Sequence, residues 1–323
     1  MKKLICVLLS VLMLLSAVSL VSCGKEATLK FGLGVYTAPA SATSAEEDVN
    51  GKGTVAITAA AITVDADGKV VACDLDTADI AVAFTSEGKG IANDGFKTKA
   101  EQGKNYNMVT YGGAAKEWYE QADAFETLVA GKTLDEIKAL VAAENKGTEE
   151  VVNAGCTIMI HEFVKAIEIA FDNLADSNAT ASHKVKLGAN TEQSMKDAAE
   201  DANGYSQVET TFVAAAVDAD GKMVAVASNC IQVKFNFDGT GESVSNGVTD
   251  KRDAGADYGM VAWGGAAKEW FEQADAFNAA CIGKTAGDIN ALMGADNYGT
   301  DELKTAGCTI LVNGLVKAAA KIN

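Results

Sequence analysis

Two threonines close the same short motif: Ala154-Gly155-Cys156-Thr157-Ile158 returns as Ala306-Gly307-Cys308-Thr309-Ile310. A hydroxyl in this setting can bind a phosphate or be esterified to one. Gly155 and Gly307 let the backbone approach a ligand closely, and the helix expected to follow offers unpaired amides and a partial positive charge to an anion. Cys156 and Cys308 admit two readings, redox thiols or small fillers buried beside an apolar helix. Upstream, each copy carries Tyr-x-Met and a tryptophan: Tyr106, Met108 and Trp118, then Tyr258, Met260 and Trp270. A tryptophan at helical spacing is ordinarily core, although it can also wall a flat ligand. Lys116 and Lys268 precede the tryptophans and are read as solvated, with a phosphate contact as the sharper alternative. His161 has Asn313 as its counterpart, and no histidine dyad, paired carboxylate or Cys-x-x-Cys is held in both copies. Hydrolase chemistry and a metal site therefore have no residue-level support.

These motifs belong to a long internal repeat. Tyr111 to Phe125, Tyr-Gly-Gly-Ala-Ala-Lys-Glu-Trp-Tyr-Glu-Gln-Ala-Asp-Ala-Phe, returns almost unchanged from Trp263 to Phe277. Weaker matches pair Leu33-Gly34 with Leu187-Gly188, Asn50-Gly51 with Asn203-Gly204, and Val64 to Lys69 with Val217 to Lys222. The units are then residues 27–174 and 178–323. At about 145 residues each, they have the size of globular domains with their own cores rather than of solenoid repeats.

Each unit opens with strand-like text, Thr28 to Tyr36 and Gly53 to Val64, rich in alternation and β-branched residues. Asp67-Gly68 and Asp220-Gly221 between apolar runs predict hairpin turns. The second half of each unit is helical. Ala115, Trp118, Tyr119, Ala122, Phe125 and Val129 follow helical spacing, with Gly131 placed to end the run. Thr133 to Glu136 and Thr285 to Asp288 read as capping boxes. A closing helix gathers Ile160, Phe163, Val164, Ile167 and Ala170 on one face, mirrored by Val312, Leu315, Val316, Ala319 and Ile322. The expected class is α+β, two tandem homologous domains, each an antiparallel sheet covered by about three helices.

Residues 1–22 read as a signal peptide, with Lys2 and Lys3 ahead of an apolar run too short for a stable span. Leu20-Val21-Ser22-Cys23-Gly24 matches the lipobox of bacterial lipoproteins, which implies cleavage before Cys23, lipidation of its sulfur and a tether over residues 23–26. The expected location is the outer face of the cell membrane, held through lipidated Cys23. The net charge of −17 becomes more negative still when Lys2 and Lys3 leave. Nucleic acid and anionic lipid surfaces are thereby disfavoured as partners. Of the remaining cysteines only Cys156 and Cys308 are equivalent, so no bridge is duplicated and free thiols are expected.

With its Gly-x-Thr motif ahead of a closing helix, the repeat resembles the FMN-binding domain family, in which the final threonine of Ser-Gly-Ala-Thr receives FMN through a phosphoester bond. Two tandem copies behind a lipobox, with Lys-Glu-Trp-Tyr-Glu-Gln upstream, look like the flavinylated pheromone-lipoprotein group of extracellular electron transfer in Gram-positive bacteria. The resemblance implies covalent FMN on Thr157 and Thr309, a bed for the ring among Trp118, Trp270, Tyr106 and Tyr258, a flavin transferase as modifying partner and a membrane oxidoreductase as electron donor. It implies an electron carrier rather than an enzyme. Ala154 and Ala306 stand where that motif begins with a hydroxyl. They favour the alternative, a non-enzymatic binding or adhesive lipoprotein that has kept the fold and lost the flavin. A solute-binding lipoprotein fits less well, because two near-identical units are not the unlike lobes of a transport receptor.

Overall fold

The computed structural model describes residues 26–93 and 95–322. The leader and Cys23 lie outside the described residues. The first unit is built from β1 (Lys30–Thr37), β2 (Ser41–Thr43), β3 (Gly51–Val64), β4 (Val70–Phe84) and β5 (Gly90–Ile91), followed by α1 (Lys99–Gln102), α2 (Trp118–Val129), α3 (Leu134–Lys138), α4 (Glu149–Ala154) and α5 (His161–Asp172). A two-residue β6 (Ala175–Asp176) leads into the second unit. That unit has β7 (Lys184–Lys196), β8 (Gly204–Val217), β9 (Met223–Phe237) and β10 (Ser243–Asp250), then α6 (Trp270–Cys281), a 3-10 segment over Ala286–Leu292, α7 (Asp301–Ala306) and α8 (Asn313–Ala319). Both sheets are antiparallel, ordered β5-β4-β3-β1-β6 with β2 also on β3, and β10-β9-β8-β7. The α+β class read from the sequence is the observed one. Among the described residues, no helix is long and apolar enough to cross a membrane.

The two hairpins form where Asp-Gly predicts them, by a different local geometry. The Asp65 carboxylate accepts from the amides of Asp67 and Lys69, at 2.9 Å each, and only Gly68 takes a positive φ, of 76°. This Asx turn sets the chain without asking Asp67 to enter the left-handed region. Asp218 does the same for Asp220 and Lys222. The capping boxes at Thr133–Glu136 and Thr285–Asp288 are present, the second opening a 3-10 turn.

The middle strands explain the layering. β3 runs Thr58-Ala59-Ala60-Ala61-Ile62 and β8 runs Phe212-Val213-Ala214-Ala215-Ala216, apolar at successive positions, so both faces of each sheet must be covered. One face of each meets its own helices. Ala60 joins Trp118, Phe125, Ile160 and Ile167 in one cluster, and Val213 and Ala215 join Phe277, Val312 and Val316 in another. The other faces meet each other. Ile57, Ala59, Ile80 and Val82 of the first sheet form a single core with Val208, Phe212, Ile231 and Phe235 of the second. The molecule is a four-layer stack of helices, sheet, sheet and helices, and the central core belongs to both units. Where two self-contained cores were expected, each unit has an outer core of its own and shares the inner one. Phe84 stacks on Phe237, its own counterpart in the repeat, with ring centroids 4.5 Å apart and planes 12° from parallel. That pair marks the pseudo-two-fold relating the units.

The closing helix of each unit lies so near its first strand that only glycine fits between. A Cβ on Gly34 would overlap the Ala166 carbonyl of α5, and one on Gly188 would overlap that of Ala318 in α8. Gly34→Ala is expected to lower stability by about 2 kcal/mol, since α5 must lift away from β1. A urea midpoint equal to the wild type's would contradict that close approach.

Candidate functional site

Ala-Gly-Cys is first of all a helix terminator. Gly155 follows α4 with φ of 103°, its amide donates to the Val152 carbonyl at 3.0 Å, and the Cys156 amide donates to Val151 at 3.1 Å. This is a Schellman cap, and Cys156 and Val151 supply its apolar contact in the same buried cluster. Gly307, with φ of 106°, and Cys308 terminate α7 identically through Lys304 and Leu303. The amides of Gly155, Cys156, Gly307 and Cys308 are therefore already bonded within the caps. The motif lies at the C-terminal end of one short helix, four residues before the next begins, and not on the first turn of the closing helix. Cys156 and Cys308 are fully buried, and burial pushes each thiol up to about 11. They are packing residues of the cap, which removes them from the set of ligand contacts and from thiolate chemistry.

Thr157 and Thr309 are exposed, and each is held by a glutamine that the sequence reading passed over. The Thr157 amide and hydroxyl both donate to Gln121 Oε1, at 2.8 and 2.9 Å. Gln121 is buried on α2 and donates from Nε2 to the Lys116 carbonyl at 3.0 Å. Gln273 repeats the arrangement with Thr309, at 2.8 and 2.9 Å, and with Lys268. The result fixes the threonine hydroxyl against the buried glutamine in both units. The signal was present: a polar residue kept in both copies on the apolar face of a helix.

The stretch before the tryptophan is a loop, not helix. α2 begins at Trp118, so Ala115, Lys116 and Glu117 precede it, and Glu117 is its N-cap within a capping box. The buried Glu117 carboxylate also accepts from the amides of Met108 and Val109, at 2.9 and 3.3 Å. Glu269 ties Met260 and Val261 to α6 in the same way, at 2.9 and 3.2 Å. This capping turns the preceding lysines back toward the threonine motif. A Cβ on Gly155 would overlap the Lys116 ammonium, and one on Gly307 would overlap that of Lys268. Each ammonium group thus lies against the glycine two residues before the threonine.

In the second unit Thr309 and Gln273 border a cavity of about 590 Å³, and Lys268 and Glu269 stand outside its lining. Its lining includes Thr309, Ile310, Gln273, Trp270, Tyr258, Met260 and Tyr298, so the aromatic residues and the threonine picked out in the sequence meet at one place. Its size is within the range of small-molecule sites, about 300–1,000 Å³. Gly307 and Cys308 are not on its wall. β7 contributes Glu192, Gln193 and Ser194, and β8 contributes Glu209 and Thr211. Buried Lys251 bonds Glu209 at 2.6 Å and lies 5.3 Å from the Tyr258 ring centre. Burial alone would lower its pKa, but the neighbouring Cys230, Glu209 and Tyr258 outweigh that, and the net shift is upward. Lys251 is a permanent cation at the cavity wall, neutralised by its carboxylate.

The first unit holds the same threonine, glutamine and lysine. Tyr106 bonds Asp79 at 3.0 Å, and Lys99 lies 5.3 Å and 5.7 Å from the centres of the Tyr106 and Trp118 rings. Trp118 is buried edge-on against Phe163, with centroids 5.7 Å apart, so it serves as core there. Comparisons of the chain with protein-family models, with curated proteins and with solved structures returned no match.

Proposed function

We propose that this protein is a lipid-anchored electron carrier of the bacterial cell surface that holds FMN at the Thr309 cavity. The observation that carries the reading is the convergence of an exposed threonine, its hydroxyl fixed by Gln273, with the Trp270, Tyr258 and Tyr298 side chains around one cavity. FMN, when bound, supplies one- and two-electron chemistry that no side chain here provides. In loading, Thr309 Oγ would attack phosphorus of a flavin phosphoanhydride, whose P–O–P bond breaks as the P–Oγ bond forms so that the second phosphate departs and the hydroxyl proton passes to solvent; Lys268 beside Gly307 would offset the charge of the ester phosphate. Trp270, Tyr258 and Met260 would bed the ring, and Gln273 would keep the Thr309 backbone in place through its amide. A flavin transferase would load the site, and a membrane oxidoreductase would supply electrons.

The test is the intact mass and visible spectrum of the full-length protein, isolated from membranes of a host that has a flavin transferase. A yellow protein heavier by FMN, with the gain lost in Thr309→Ala, is the expected result. A colourless, unmodified protein that takes up no added FMN refutes the reading. The adhesive alternative would then lead, and one observation favours it: Tyr111 and Trp263, counterparts on the repeated loops, are 85% and 89% exposed.

A further inference from the structure

The two threonine sites are built alike up to their mouths and differently behind them. Gly314 in α8 lies against Thr211 of β8, where an added Cβ would come within 2.9 Å of the hydroxyl. Its counterpart in the first unit is Glu162, whose carboxylate reaches in to accept from Thr58, the counterpart of Thr211, at 3.3 Å. The next residue differs as well. Phe163 fills the space between Trp118 and Phe125, with centroids 5.7 Å from both, where the second unit has the smaller Leu315 on the cavity wall.

The outer wall differs too. β7 runs unbroken to Lys196 and brings Glu192, Gln193 and Ser194 to the cavity, whereas the same edge in the first unit is interrupted between β1, which ends at Thr37, and β2, which resumes the pairing with β3 at Ser41. Pro39, the one proline of the chain, stands at the position of Gln193 and has no amide with which to extend the ladder. Tyr36, packed on the first unit's helical core, is replaced by the smaller Asn190, which stands behind the cavity wall and not on it.

We propose that ligand binding is confined to the second unit, where Gly314 and Leu315 keep open a site for a planar aromatic ligand that Glu162 and Phe163 fill in the first. The inference rests on the flavin reading for the ligand's identity but not for its location. The duplicated threonine motif would then hold one flavin per chain rather than two. Thr157 with Gln121 is the remnant of a site whose interior has become core. The first unit's contribution is to complete the shared central core that supports the second.

The experiment titrates the full chain with FMN and, separately, with 8-anilinonaphthalene-1-sulfonate, and locates any covalent FMN by peptide mass. The variants are Gly314→Glu, Leu315→Phe and the pair Glu162→Gly with Phe163→Leu, each checked for a native unfolding transition. One equivalent in the wild type, weakened at least about tenfold by Gly314→Glu or Leu315→Phe, is expected, with a second equivalent gained in the opened first unit. Two equivalents in the wild type, FMN on Thr157 as readily as on Thr309, or binding indifferent to both closing variants would overturn it. Dye at one equivalent that Gly314→Glu removes, with no uptake of FMN, keeps this inference and rejects the flavin. Failure of both probes with every variant rejects both readings.

Discussion

Phe84→Ala is expected to lose about 3–5 kcal/mol of stability and to loosen both units together. Phe84 is fully buried at the end of β4, over Gly51, and stacks on Phe237, which covers Gly204 in the same manner. Truncation leaves a cavity over Gly51, which has no side chain with which to collapse into it, and beside the Phe237 ring. It also removes an offset aromatic stack, worth about 0.5–1.5 kcal/mol beyond the buried area. Because the ring opposite belongs to the other unit, the damage is shared. Denaturation should remain one transition at lower urea, and amide exchange should quicken in β3 and β8 alike. Acceleration confined to the first unit would show that the two sheets are not one cooperative core.

The second large effect is a dependence on pH that comes from one side of the inter-unit contact. Asp74 on β4 accepts from the Leu187 amide of the second unit at 2.6 Å, and Glu126 on α2 accepts from the Leu75 amide at 2.8 Å. Burial, then the nearby Asp74 carboxylate, pushes Glu126 up to about 8, and burial pushes Asp74 up to about 6. Asp123 adds to both shifts, while Lys186 and the amides act in the opposite sense. In the unfolded chain these groups ionise near pH 4. From there upward the unfolded state sheds protons that the folded state retains, so stability falls as pH rises until the folded Glu126 ionises near 8.

Glu126→Gln keeps an acceptor for the Leu75 amide and abolishes the titration. The variant is expected to match the wild type near pH 4 and to exceed it by roughly 3 kcal/mol at pH 8, a figure kept below the full shift because the carboxyl retains some water. Urea denaturation of both proteins at the two pH values decides this, and the general repulsion in so acidic a chain cancels in the comparison. Equal pH slopes would refute it. The second unit has Ala227 and Asn278 at the positions of Asp74 and Glu126, so its own side of the contact has no such response.

What was legible in the chain was local or duplicated. The closing helices bury the face that their spacing marks, from Ile160 to Ala170 and from Val312 to Ile322, because a 3.6-residue period needs no distant information. α4 and α7 escaped notice because six residues show too little periodicity, although Thr148 or Thr300 before acids and Gly155 or Gly307 after them are start and stop signals. Gln121 and Thr157 are 36 residues apart, and nothing in either segment says that they meet. The shared core was half visible: Ala59-Ala60-Ala61 requires cover on both faces, but not that the second cover be the other sheet. The exchange of Glu162 for Gly314 follows from the repeat spacing alone. Its meaning depended on Thr58 and Thr211 lying opposite.

The stacking of Phe84 on Phe237 has a consequence for how such a molecule comes to exist. A residue touching its own equivalent is what an isologous dimer interface produces, since each side presents the same patch to the other. Here the two patches are in one chain, joined through a short segment that β6 and Ser177 fasten to the start of β1. An association between separate copies would weaken on dilution. Joined in this way, the partners meet at an effective concentration of about millimolar or more, however dilute the protein is. Covalent linkage also ends the requirement that the partners be identical. One half can close its cavity with a glutamate and a phenylalanine while the other keeps a glycine and stays open.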